Sequence, residues 1–150
     1  MQGVKFLADY QEIDYSGVNA VGHAMLPNLM QQPLGQQGSA GFGWQDISVY
    51  KFGVKFEPKG DWTWRLGYSK GDQPIPESEV MFNILAPGVI EEHITAGFST
   101  AYGPSLLHVS VMYALENTVR GSNPMEAPGA QQIELTMDQW ELELGYSFRF

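Results

Sequence analysis

The chain has 150 residues, a net charge of -9 and no cysteine, with 8 Lys and Arg against 17 Asp and Glu. Without cysteine, disulfide scaffolds, thiolate metal sites and cysteine nucleophiles are excluded. The acidic balance argues against nucleic acid or an anionic membrane surface as a partner. No apolar run reaches the roughly 18 residues that a transmembrane helix needs, whereas the 17 glycines and 13% aromatic residues suit a β protein with many turns.

Six segments alternate apolar and polar residues with the two-residue period of a β-strand. We predict strands at residues 3–15, 44–56, 62–70, 92–102, 107–116 and 138–150. The turn at residues 57–61 makes a hairpin of the second and third strands. Pairing Phe56 with Trp62 in this hairpin would keep both apolar faces on one side.

The predicted connections alternate between long loops, at residues 16–43, 70–90 and 117–136, and short turns, at residues 57–61 and 103–106. Outer-membrane barrels show this asymmetry because their periplasmic turns are short and their extracellular loops are long. The loops also carry large apolar residues, which either collect a hydrophobic ligand or pack the loops into a cap. These residues are Met25, Leu26, Leu29, Met30, Val80, Met81, Phe82, Ile84 and Leu85.

The final predicted strand has one wholly apolar face, formed by Trp140, Leu142, Leu144, Tyr146, Phe148 and Phe150. An unbroken apolar face with aromatic residues toward both ends is typical of a lipid-facing strand, although a soluble edge strand is the alternative. Tyr146, Phe148 and Phe150 also resemble the membrane-insertion signal that the barrel-assembly machinery reads at the end of an outer-membrane barrel. We therefore predict an all-β fold, an antiparallel transmembrane β-barrel in contact with the lipids of the bacterial outer membrane.

Six strands are too few for a closed barrel, since the smallest spanning barrels have about eight. An open sheet in lipid would leave two edges of unpaired backbone groups. The first residues also lack the apolar stretch and the small-residue cleavage site of a signal peptide. We therefore expect residues 1–150 to be a single C-terminal segment of a barrel whose remaining strands come from the same protein. Assembly from several copies is the alternative.

The segment GFGWQDISVYKFGVKFEPKGDWTWRLGYSKGDQPIP, residues 41–76, resembles the FadL-type outer-membrane transporters of long-chain fatty acids and other hydrophobic compounds. The shared features are, in order, Asp46 where the strand starts, Gly53 within it, the turn at residues 57–61, WTWRLG at residues 62–67 and PIP at residues 74–76. The resemblance implies a fourteen-stranded barrel of which these are the last six strands. The N-terminal hatch and the earlier strands of the family are absent from this chain.

The resemblance also implies transport of a hydrophobic small molecule through the barrel lumen, and we expect no enzymatic activity and no cofactor. Lys51, Arg65 and His93 on the predicted inward faces, with Met81 and Phe82 in the second long loop, are the candidate ligand-binding residues.

A fatty acid needs a cation near its carboxylate, and no Lys or Arg occurs from residue 6 to residue 50. The inward-facing cations are Lys51, Lys55, Arg65 and Arg149. Each of them is alternatively a structural partner of Glu141 or Glu143, which leaves a neutral hydrocarbon open as the substrate.

His23, His93 and His108 lack metal-ligand spacing, so we predict no metal site. Ser99 and Ser110 face inward near His93 and His108, which makes a barrel esterase or acyltransferase conceivable. No sequence motif supports that activity, and no catalytic residue is assigned.

The alternatives to transport are a general outer-membrane porin, a barrel enzyme and, less favoured, a soluble β-sandwich binding domain.

Overall fold

The computed structural model describes residues 3–148 and is an all-β protein with a single sheet. Its strands are β1 (Gly3–Ile13), β2 (Ile47–Glu57), β3 (Trp62–Gly71), β4 (Glu92–Tyr102), β5 (Ser105–Ser122) and β6 (Gln132–Ser147). Each strand pairs in antiparallel fashion with its neighbour in sequence, in the order β1-β2-β3-β4-β5-β6. The predicted all-β antiparallel architecture is therefore confirmed.

The connections contain only short helices: α1 (Asn19–Gly22), α2 (Asn28–Gln31) and the 3-10 helices Glu77–Glu79 and Phe82–Ile84. Within residues 3–148, none of the helices has the length and apolar character needed to cross a membrane.

The β5–β6 hairpin is longer than the sequence pattern predicts. Its strands extend to residues 105–122 and 132–147, so the prediction of a loop over residues 117–136 is wrong and only residues 123–131 connect the strands. Cross-strand polar pairs continue the ladder, since Thr118 bonds Thr136 at 2.8 Å and Arg120 pairs with Glu134 at 2.6 Å. The last two residues of the predicted strand, 149 and 150, lie outside the described residues.

The register of the β2–β3 hairpin also differs from the prediction. Phe56 lies opposite Trp64 and not opposite Trp62, which pairs with Thr100 of β4. The turn is wider than a minimal hairpin turn and contains Gly60 at a φ of 112°. Because the shift is two residues and side chains alternate with period two, the apolar faces of both strands still coincide.

The two faces of the sheet differ in chemistry along its whole width. One face, which we call the outer face, is apolar, and a row across it consists of Val4, Phe56, Trp64, Phe98, Val109 and Leu144. The other, the inner face, is polar and partly charged, and the adjacent row consists of Lys5, Lys55, Arg65, Gly97, Ser110 and Glu143. The protein exposes 10185 Å² of surface, against about 7600 Å² for a compact monomer of its mass. Exposed apolar side chains such as Phe6, at 81%, and Leu144, at 70%, contribute to this surface.

A β-bulge interrupts the β5–β6 ladder between Ala114 and Asn117, where two residues of β5 lie opposite Asp138 alone. The extra residue shifts the alternation of β5 by one position. Val119 and Gly121 therefore point to the inner side beyond the bulge, together with the β6 residues that they face.

The buried core lies between this part of the hairpin and the long loops. Its buried members are Ile75, Val80, Val89 and Val119, and Trp44, Ile133, Leu135 and Met137 pack against them. Residues 14–46 and 72–91, which we call the loop cap, contribute the loop side of this core. Contact is close at Gly121, where a Cβ atom would collide with the carbonyl oxygen of Glu77 and lie 2.9 Å from Val80 Cβ.

Candidate functional site

A groove of about 390 Å³ runs along the inner face of β3 to β6, on the turn side of the bulge. Its polar lining consists of Arg65, Thr95, Ser99, His108, Ser110 and Glu143. Two glycines line it. A Cβ atom on Gly97 would lie only 2.9 Å from the Val109 carbonyl oxygen, so the close approach of the strands requires glycine there, whereas one on Gly145 would make an ordinary contact of 3.5 Å with the Cβ of His108.

Arg65, Ser99 and His108 form a hydrogen-bonded chain across three strands. Arg65 Nη1 donates to Ser99 Oγ at 2.7 Å, and Ser99 Oγ lies 2.7 Å from His108 Nδ1. Ser99 is only 7% exposed. The Ser99 hydroxyl oxygen accepts from Arg65 and also contacts a ring nitrogen of His108, so this one hydroxyl links the two side chains. Arg65 takes part in none of the ion pairs within residues 3–148, so its charge is available to a bound acceptor.

The inner-face lysines have their own carboxylates. Lys51 lies 3.5 Å from Asp9 and donates to Gln11 at 2.8 Å, and Lys55 lies 2.6 Å from Glu57. The predicted alternative, a structural pairing with Glu141 or Glu143 of β6, is thus wrong for both lysines, whose carboxylate partners lie on β1 and β2. Strands β2 and β6 are separated by four inter-strand steps, about 19 Å in all, which no Lys side chain spans.

His93 faces inward as predicted but lies outside the groove. Its Nδ1 is 3.4 Å from Ser69 Oγ, and it is six positions along β4 from Ser99. His23 lies in the loop cap, where its ring contacts the Ser39 carbonyl at 3.1 Å. The part of the chain from residue 3 to residue 148 contains no group of three or more His, Asp or Glu that would hold a metal ion.

The candidate residues Met81 and Phe82 are half-buried parts of the loop cap, between the fully buried Val80 and Asn83. The apolar loop residues thus differ in their exposure. Met25 and Val80 are buried and pack the cap, whereas others, among them Met30, Ile84 and Leu85, are exposed to solvent.

Asn83 holds the loop cap together, and no sequence pattern singles it out. Its Nδ2 donates to the carbonyl oxygens of Phe42 and Glu79 at 2.9 Å, and its Oδ1 accepts from Trp44 Nε1 at 2.5 Å. One fully buried amide therefore connects the first and second long loops. Only the fold, which brings residues 42–44 against residues 79–83, reveals this role.

The pKa values of two carboxyl groups in the loop regions are shifted in opposite directions. Glu79 is buried and accepts one hydrogen bond, from the Met25 backbone N–H at 3.1 Å, and burial raises the pKa of its carboxyl. Asp46, at the start of β2, accepts from the backbone N–H and hydroxyl of Ser16 at 2.8 and 3.0 Å. The bond from the Ser16 backbone N–H is the main cause that lowers the pKa of Asp46. Asp46 thus fixes the start of the first long loop.

We expect the stability of the loop cap to fall as pH rises through the raised pKa of Glu79. A carboxyl whose folded pKa is raised holds its proton more tightly in the folded state. Its contribution is therefore complete below the ordinary Glu value of about 4.3 and is lost above the raised pKa. Glu79→Gln should flatten this dependence in thermal unfolding measured from pH 4 to pH 8. Glu126→Gln, in the exposed β5–β6 loop, is the matched control. Unchanged pH dependence in Glu79→Gln would contradict the assignment.

The predicted insertion signal lies at the turn end of β6 and just beyond it. Tyr146 donates its hydroxyl proton to Ser105 Oγ at 2.8 Å, and Phe148 is exposed, while Phe150 lies outside the described residues. No family model, curated protein or solved structure matches the chain.

Proposed function

We propose that this protein forms part of the wall of a FadL-type β-barrel in the bacterial outer membrane and transports hydrophobic compounds, either long-chain fatty acids or hydrocarbons. The observation that carries the proposal is the outer face, on which six neighbouring strands expose large apolar side chains. Exposed apolar patches of this extent are rare on soluble monomers and typical of surfaces that contact lipid or a partner. The resemblance of residues 41–76 to the transporter family supports the same interpretation.

Aromatic residues are concentrated at the two ends of the outer face. Near the loop end, Tyr10 lies 5.1 Å from Tyr50 and Tyr113 stacks on Trp140 at 4.3 Å. Near the turn end, the corresponding cluster consists of Trp62, Trp64 and Phe98. The row between them is mainly aliphatic and consists of Phe6, Val54, Leu66, Ala96, Val111 and Leu142. Along β6, Trp140 and Tyr146 are six residues apart, about 20 Å, which is comparable with the apolar band of about 25 Å in outer-membrane barrels.

The alternatives require features of a different kind. A β-sandwich needs a second sheet packed on the first, and residues 3–148 contain a single sheet. A general porin needs a strongly charged lumen. The inner face does carry charges, but Lys5 and Lys55 pair with Glu57 within the sheet, and Gly, Ser and Thr line much of the inner face of β4. A hydrolase would use the Ser99–His108 pair, but in this chain Arg65 also donates to the Ser99 oxygen that would have to attack a substrate. Transport therefore accounts for more of the surface than the other functions do.

Within this function, the groove supplies a polar site for the head of an amphiphile. Arg65 offers guanidinium donors there, and the side chains around it are small. The loop cap lies on the inner side of the hairpin beyond the bulge, at the end of the sheet where a ligand from outside the cell would arrive. The exposed Met30 and Leu85 offer apolar contacts on the surface of that cap.

The membrane part of the proposal is tested by fractionating cells that produce the protein, with an antibody against this chain. We expect it in the outer-membrane fraction, with a gel mobility that changes on heating, as for a closed barrel. Recovery in the soluble fraction without detergent would refute the membrane location.

The ligand part is tested with Arg65→Gln. Losing a charged hydrogen bond costs about 1.5–3 kcal/mol, so binding of a long-chain fatty acid should weaken about 10- to 100-fold. Binding of an uncharged alkyl-aromatic compound should not change. Lys59→Gln, which removes an exposed charge from the β2–β3 turn, is the control. Equal losses for both ligands would show that Arg65 maintains the groove and does not hold a carboxylate.

A further inference from the structure

Strand β6 is open on the side away from β5. In residues 3–148 its only hydrogen-bonded neighbour is β5, which leaves the other edge along Gln132–Ser147 without a partner strand. The exposed fractions of the outer-face side chains agree with this free edge. Leu142 is 69% exposed, whereas Val111, directly opposite in the same row of β5, is 38% exposed. A further strand beside β6 would both pair the backbone and cover this apolar surface.

The charges of the inner face are unevenly matched. Lys5 and Lys55 both pair with Glu57, and Lys51 pairs with Asp9, so the cations of β1 and β2 have carboxylates within the sheet.

The two inner-face carboxylates near the middle of β6, Glu141 and Glu143, have no such partner in the described chain. None of the ion pairs within residues 3–148 includes Glu141 or Glu143, although both point to the inner face. Glu143 accepts a hydrogen bond from Ser110 at 3.2 Å, which directs its carboxylate along the sheet surface without neutralising it.

We propose that the free edge of β6 binds a further β-strand that carries Lys or Arg on its inner face, directly opposite Glu141 and Glu143. The inference rests on the proposed function, because this strand would continue the barrel wall. Residues directly opposite each other in neighbouring strands have Cβ atoms about 4.5–5.5 Å apart, close enough for an ion pair. Opposite charges at these positions stabilise pairing and like charges oppose it, so the two carboxylates select a basic neighbour.

Strand β1 of a second copy fits this edge less well. Its inner face offers one cation, Lys5, which already pairs with Glu57, and it places the carboxylate of Asp9 four positions further along. A second copy would therefore bring about as much negative as positive charge to the edge. The chemistry of the edge favours a strand of different sequence with two cations.

The test uses the complete chain in detergent micelles and three synthetic eleven-residue strand peptides. All three share the same apolar outer-face residues, and their inner-face residues are Lys, Ser or Glu. We expect the Lys peptide to bind about tenfold more tightly than the Glu peptide, with the Ser peptide between them. Binding should also protect the backbone amides around Glu141 and Glu143 from hydrogen exchange.

The double variant Glu141→Gln/Glu143→Gln should lose the preference for the Lys peptide, and the single variant Glu143→Gln should lose part of it. Glu126→Gln removes one charge outside the sheet and should keep the preference. Equal binding of the three peptides, or a preference that persists in the double variant, would overturn the proposal.

Quenching of Trp fluorescence by brominated lipids reports separately on contact of the outer face with lipid. Absent quenching with an intact peptide preference would thus reject the membrane location and not the edge chemistry.

Discussion

Leu144→Arg should lower the free energy of unfolding in a lipid bilayer by about 2–4 kcal/mol, the cost of a charged residue on the lipid face near mid-membrane. Leu144 is 70% exposed, lies opposite Val109 and belongs to the outer face. In water, such an exposed Leu tolerates Arg at little cost. A large loss in lipid therefore reports directly on the surroundings of this face.

Ser110→Arg is the matched control for this measurement. Ser110 lies on the inner face next to Glu143 and lines the polar groove, which offers both space and an opposite charge to the guanidinium. Its cost should be much smaller than that of Leu144→Arg. Equal losses for the two variants, measured by unfolding in lipid vesicles, would contradict the assignment of the two faces.

Asn83→Leu should destabilise the loop cap by about 3 kcal/mol. The substitution leaves the Trp44 indole N–H and the carbonyl oxygens of Phe42 and Glu79 without their partner. Each buried polar group that loses its hydrogen bond costs about 1–3 kcal/mol, and partial access of water reduces the sum. The strands below the cap should keep their pairing, because Asn83 contacts none of them through these bonds.

The effect is measured as the rate of proteolytic cleavage within residues 72–91 and as the urea midpoint of the transition that Trp44 reports. Asn123→Leu is the control. Its side chain also makes two hydrogen bonds, to Gln131 and from Met125, but in an exposed turn where water replaces them. A cap that resists protease equally in both variants would show that Asn83 does not connect the two loops.

Alternation of apolar residues predicts the strands well where one face is apolar. It locates β4 to the residue and β3 to within one. It fails beyond Ala114, where the bulge changes the phase and polar pairs such as Arg120–Glu134 replace apolar ones. A bulge depends on which residues face each other in two strands, and a single strand carries no signal of it.

The candidate site likewise has some features that alternation predicts and others that it does not. Period two places Arg65, Ser99 and His108 on the inner face, as the sequence predicts. Their contact depends on the register of β3, β4 and β5, which sets Ser99 opposite His108. The register predicted for the neighbouring β2–β3 hairpin is wrong by two residues. An error of that size between β4 and β5 would separate Ser99 from His108 by one full two-residue repeat of the strand. The loop cap has no periodic signal at all, because buried hydrogen bonds between distant loops fix its residues.

The bulge between Ala114 and Asn117 also limits how this hairpin can change in length. It turns the β5 residues beyond it by half a repeat, so that Val119 meets the cap and Arg120 faces away. Inserting or deleting one residue of β5 between the bulge and Val119 would exchange these roles, bury a guanidinium and expose the core. Matched additions of two residues in each strand would preserve them. Related chains should therefore vary the hairpin beyond the bulge in even steps, and the bulge marks the position along β5 at which the apolar residues change from the outer face to the side that supports the loops.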